Sequence, residues 1–150
     1  MGLHAPYTDE GRGDLRRLDL EPVRTAAREV LASVPEVAGA YLFGSALGWV
    51  GQRSDIDLGL ISRAGLPAEA ELDVAGRVEE RLGRLGPHAF HVTVLREEEN
   101  AFTFRVLRDG ELVYVADGER VADMIEAVGR QHDDLEPFRR TFYAALRMPL

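Results

Sequence analysis

The chain has 150 residues and carries 26 acidic against 18 basic side chains, a formal net charge of −8. A hydrophobic fraction of 45% and a charged fraction of 29% describe an ordinary globular composition, and no apolar run approaches the roughly 20 residues that cross a membrane. Cysteine and lysine are both absent, which excludes disulfides, thiolate nucleophiles, Cys-based metal sites, Schiff bases and a P-loop lysine, while the acidic balance argues against a direct sequence-specific nucleic-acid binder.

Residues 1–18 are polar and aperiodic and read as an irregular N-terminal leader. They contain no apolar h-region, so the expected location is cytoplasmic and no membrane partner is expected. Residues 19–150 read as one domain. Asp19, Glu21 and Pro22 suit the first turn of a helix. Val23, Ala26, Ala27, Val30 and Leu31 then recur at helical spacing, and Pro35 marks the end. Val37 to Phe43 reads as a buried strand, followed at once by Gly44-Ser45. A short helical turn is expected over residues 46–50, then a polar link to Ser54.

Asp55 to Ile61 reads as a second strand. Its alternation sets Asp55 and Asp57 on one face and Ile56, Leu58 and Leu60 on the other. Residues 68–85 form a helix with Leu72, Ala75, Val78, Glu79 and Leu82 on one stripe, stopped by Gly86-Pro87. His88 to Leu95 is a third strand, with Phe90, Val92 and Val94 on the apolar side and His91 and Thr93 on the polar side. A short helix over 97–108, a strand from Leu112 to Val115 and a long helix over 119–147, bent at Pro137, complete the chain. Helices alternate with strands, which predicts a small mixed sheet with helices packed on one face, an α/β (α+β) class. The short link between the first two strands makes them antiparallel neighbours.

Two features, and then their combination, converge on one sheet face. Gly44-Ser45 ends a strand, where a glycine permits close backbone approach and a serine hydroxyl with nearby amides can hold a phosphate; a plain strand-to-helix turn fits the dipeptide too. Asp55 and Asp57, at i and i+2 of a strand, lie side by side. Holding both ionised calls for a cation, and hard oxygen ligands suit Mg²⁺ or Mn²⁺; a solvated strand face is the alternative reading. Arg53, in the link between them, is a candidate phosphate contact or an ordinary loop arginine.

Taken together, the run Tyr41-Leu42-Phe43-Gly44-Ser45, a spacer of about ten residues, and Ser54-Asp55-Ile56-Asp57-Leu58 resembles the DNA polymerase β-like nucleotidyltransferase superfamily. The short chain resembles its minimal nucleotidyltransferases, the MNT family. The run Phe104 to Tyr114 is similar to that family's Arg-containing helix, turn and final strand, so the likeness extends over roughly residues 20–145. The resemblance implies the polymerase β-like fold. It implies nucleotide binding by Gly44 and Ser45, with Arg53 as a further candidate phosphate contact outside the family motif, divalent metal ligation by Asp55 and Asp57, and ATP as the substrate. It also implies a partner, since MNT proteins are often antitoxins paired with a helical HEPN-type toxin, onto whose tyrosine they transfer AMP.

One position departs from the pattern. Related enzymes carry a third carboxylate on a later strand, and by alternation His91 stands there. An imidazole suits Mn²⁺ or Zn²⁺ better than Mg²⁺ and can serve as a general base. A role for His91 as catalytic residue, as ligand of a softer metal, or as the mark of a site that neutralises its partner by binding alone are all open at this point, as is a plain strand histidine. An enzyme acting on a small-molecule acceptor is a further alternative, but that usually needs an added helical domain.

Overall fold

The computed structural model describes residues 16–17, 19–44, 49–50, 55–86, 88–132 and 136–147. The chain runs through β1 (Arg16–Arg17), α1 (Leu20–Leu31), β2 (Val37–Phe43), β3 (Trp49–Val50), β4 (Ile56–Ser62) and α2 (Ala68–Gly83). It continues through β5 (Phe90–Val94), α3 (Asn100–Asp109), β6 (Glu111–Val115), α4 (Gly118–Gln131), a 3₁₀ turn (Glu136–Phe138) and α5 (Arg139–Arg147).

Four strands make the main sheet in the order β5-β4-β2-β6. β2 pairs antiparallel with both β4 and β6, while β4 and β5 are parallel, with α2 as their crossover. The sheet is therefore mixed, and the antiparallel pairing of β2 and β4 agrees with their short link.

Helices cover both faces, where one covered face was expected. Ala40, Leu42, Ile56, Leu58, Leu60 and Val92 pack under α1 and α2 through Val23, Ala27, Val30, Val74, Val78 and Leu82. On the opposite face Tyr41, Ile61, Leu95 and Val115 pack under α3 and α4, with Phe138 and Ala145 closing the layer. The reason lies in β2, whose residues from Val37 to Leu42 are all buried; a strand apolar on both sides needs cover on both sides.

Local chemistry accounts for the element ends. The Asp19 carboxylate accepts from the Glu21 N–H at 3.2 Å and caps α1; Asp117 accepts from the Arg120 N–H at 3.1 Å and caps α4. In α2 the expected stripe shifts: Leu72 is 76% exposed, and Val74 packs in the core with Ala75, Val78 and Leu82.

Two further segments differ from expectation. Trp49–Val50 is a strand, not part of a helical turn. It pairs antiparallel with Arg16–Arg17, so the end of the leader belongs to a two-stranded ladder; Trp and Val favour strands once a partner is present. The long C-terminal helix is two helices. α4 stops at Gln131, where His132 stacks on Phe104 at 4.0 Å, and buried Phe138 meets the same ring edge-on at 5.2 Å. At the sheet edge, the Val92 N–H donates to the Glu79 carboxylate at 2.9 Å, so a side chain occupies one rung of β5.

Candidate active site

The end of β2 and the start of β4 meet by register. Phe43 stands opposite Asp57 in the antiparallel pair, and Asp57 stands opposite His91 in the parallel pair. Residues paired in this way project to the same face, so Phe43, Asp57 and His91 form a row across three strands. Asp55 immediately precedes β4 and is exposed; Asp57 is half-buried and His91 exposed.

Gly44 follows Phe43 with φ +74°, in the left-handed region where glycine carries no steric penalty. A Cβ at this position would overlap the Asp57 Oδ2 atom. The backbone thus approaches the Asp57 carboxylate more closely than any side-chain-bearing residue allows. The approach expected of Gly44 was to a phosphate; the one seen here is to a carboxylate. Ser45 and Arg53, the other two expected nucleotide contacts, lie outside the described residues.

Electrostatics marks the same carboxylate. Burial raises the pKa of Asp57 above the ordinary carboxylate value; the neighbouring His91 pulls it down and Asp55 pushes it up. Two like charges within reach of each other, one partly desolvated, form a site that a cation relieves. Asp55 and Asp57 supply the hard oxygen donors that Mg²⁺ or Mn²⁺ prefers. Among the described residues no group of three His, Asp or Glu side chains could hold a metal ion. Two carboxylates of this kind fit an open cation site better than a closed protein cage. His91 beside Asp57 suits Mn²⁺ better than Mg²⁺.

One neighbour of the site went unnoticed in the sequence. Phe102 of α3 meets the Phe43 ring edge-on at 5.6 Å, and both rings are half-buried. Phe43 shares the Asp57 face, so an aromatic pair borders the carboxylates. The signal was available in Phe43 itself, which immediately precedes Gly44. The 3₁₀ turn, α4 and α5 pack on this same face of the sheet, around Phe104 and Phe138.

Comparison with known proteins follows the same lines. The pattern of the polymerase β nucleotidyltransferase family matches residues 26–119. No curated protein matches the chain at the sequence level. Among solved structures, a chain from Shewanella oneidensis superposes with a TM-score of 0.53 at 12% identity, over 84% of this chain and 97% of that one. A mutant of the toxin–antitoxin MntA–HpeT superposes with a TM-score of 0.52 at 15% identity, over 86% and 98%. A toxin–antitoxin with AMP-PNP gives 0.50 at 16% identity, again over 86% and 98%. At such identities these likenesses concern the fold. The family match, spanning more than half of the chain and containing Gly44, Asp55, Asp57 and His91, makes the protein a member of the polymerase β nucleotidyltransferase family.

Proposed function

We propose that this protein is an MNT-type antitoxin that transfers AMP from ATP to a tyrosine of a HEPN-type toxin partner. The observation that carries the reading is the fit of Gly44 against Asp57, which brings a left-handed glycine backbone and a carboxylate together at one end of the two central strands. Superposable folds include a toxin–antitoxin with AMP-PNP, which supports both the nucleotide and the partner.

In this reading Asp55 and Asp57 hold Mg²⁺ or Mn²⁺. A bound divalent ion supplies charge neutralisation for the triphosphate. Gly44 and Ser45 seat the phosphates, and Arg53 is assigned to the same anionic group. The tyrosine hydroxyl oxygen forms a bond to the α-phosphorus, the bond to the bridging oxygen breaks, and pyrophosphate leaves. The phenolic proton passes to His91, whose register beside Asp57 places an imidazole at the edge of the site. Cytoplasmic residence belongs to the same proposal; among the described residues no helix is long and apolar enough to cross a membrane.

A second reading rests on the same histidine. With His91 where an acid is expected, the fold neutralises its partner by contact and transfers nothing. Intact mass of the co-expressed helical partner separates the two. Wild type should add one or more AMP units, and Asp55→Ala/Asp57→Ala should add none. His91→Ala should slow transfer at least tenfold if His91 is the base. A stable complex without added mass, together with transfer appearing only in His91→Asp, would establish neutralisation by binding.

A further inference from the structure

The opposite end of β4 holds a second constellation. Asp57 and Ser62 are five positions apart on one strand, which at strand rise separates them by about 17 Å. There the segments leaving β4 and β5 part, and a cavity of about 280 Å³ opens between them, α2 and α4. This is near the lower end of small-molecule sites, and its accessible wall is almost wholly polar. Carboxyl ends of neighbouring parallel strands are a favoured place for ligands in open sheets.

The charged groups of this wall divide into spent and free. Glu71 is spent: Arg96 pairs with its Oε1 at 2.8 Å, and the buried Ser62 hydroxyl donates to its Oε2. Arg63 is partly spent: its Nε donates to the Pro35 carbonyl and its Nη1 pairs with Asp117 at 3.4 Å, which leaves Nη2 without a partner among the described residues. Arg120 donates its Nε to the Ser62 carbonyl at 2.9 Å and, among the described residues, pairs with no carboxylate. Arg63 and Arg120 are neighbours, since Asp117 accepts from the Arg63 side chain with one oxygen and the Arg120 backbone with the other. Glu97 and Glu98 come from the segment after β5, and neither has a partner among the described residues. The cavity therefore has a cationic side, on the β4 and α4 segments, and an anionic side, on the segment after β5.

We propose that this cavity binds a small zwitterion of amino-acid size, its carboxylate on Arg63 and Arg120 and its ammonium on Glu97 and Glu98. A bare oxyanion would meet the uncompensated carboxylates, and a bare amine the uncompensated guanidinium. Only a ligand carrying both charges satisfies both sides; guanidinium recognises carboxylate through paired N–H donors. The open mouth lets a side chain project into solvent.

The test uses the full chain and the twenty free amino acids, each at millimolar concentration, scored by thermal shift and then by calorimetry. At least one should bind saturably. Arg120→Gln and Glu97→Gln should each weaken it tenfold or more, and Asp55→Ala/Asp57→Ala should leave it unchanged. The N-acetylated and the carboxamide forms of the same amino acid should lose binding. Arg63→Gln, which leaves the Arg120–Ser62 bond in place, guards against misfolding of the Arg120 variant and should weaken binding also. Absence of binding by all twenty would overturn the proposal. So would inorganic phosphate binding as tightly as the amino acid with Glu97→Gln strengthening it, the mark of a simple oxyanion site. Loss of binding in the Asp55/Asp57 variant would overturn it too, by placing the ligand at the other end of the strand.

Discussion

Replacing Gly44 with alanine tests whether the left-handed turn serves the carboxylate beside it or only the chain path. Gly44 and Gly65 both have positive φ, +74° and +86°. An L-residue in this region costs about 1–2 kcal/mol, and for a chain of this size each kcal/mol lowers Tm by about 2–4 °C. Both alanine variants should therefore melt about 2–8 °C below wild type. They differ in what the new methyl meets. At Gly65 nothing lies within 4 Å, whereas at Gly44 the Cβ lands on the Asp57 carboxylate. Asp57 must then move, and a displacement near 1 Å in a positioned group costs about 100-fold in rate. The assay is AMP transfer to the partner followed by intact mass, paired with thermal unfolding and with Mn²⁺-dependent ATP binding. Gly44→Ala should lose about 100-fold in transfer and Gly65→Ala less than twofold, at similar Tm. Equal transfer rates in the two variants would refute the argument that Gly44 seats Asp57.

Three further outcomes follow from the packing and the charges. Asp57→Asn should raise Tm at neutral pH while abolishing metal-dependent ATP binding. Its folded pKa is raised, so the ionised carboxylate destabilises the fold once pH exceeds its ordinary range; the gain in Tm should vanish as pH falls below that range, and a gain that persists there would contradict the sign. Arg24→Gln removes both side-chain bonds to Glu111, which hold that carboxyl below its ordinary pKa. The stability from this pair is present above the ordinary carboxylate range and lost as pH falls through the depressed value, so the Tm difference from wild type should shrink between pH 7 and pH 3. Leu82→Ala, at a fully buried position of α2, should cost about 2–5 kcal/mol by chemical denaturation. Leu72→Ala, at an exposed position of the same helix, should stay within about 0.5 kcal/mol.

The parts of the fold that sequence made legible are those governed by neighbours along the chain. The Asp19 cap, the burial of β2 and the alternation at Asp55-Ile56-Asp57 are local patterns, and each appears where expected. The meeting of Gly44 with Asp57 was legible only through the combined motif, because neither dipeptide nor D-x-D carries that geometry alone. What escaped the reading depends on partners distant in sequence. Trp49–Val50 becomes a strand only because Arg16–Arg17 pairs with it. Helical spacing over 119–147 suggests one bent helix, whereas α4 ends at Gln131 and α5 begins at Arg139, and Phe104 of α3 meets both His132 and Phe138. Leu72 fits the apolar stripe of α2 as well as Val74 does; the angle at which α2 meets β5 decides between them, and spacing does not encode that angle.

The place of β2 in the sheet carries a consequence for synthesis. This central strand pairs with β4, which follows soon after it, and with β6, which ends at Val115. At a translation rate of roughly 5–20 residues per second, the 72 residues from Gly44 to Val115 take about 4–14 seconds to make. Through that interval the nascent chain presents the free edge of an apolar strand, Val37 to Phe43, to whatever lies near the ribosome. The emergence of β6 is the moment that edge closes.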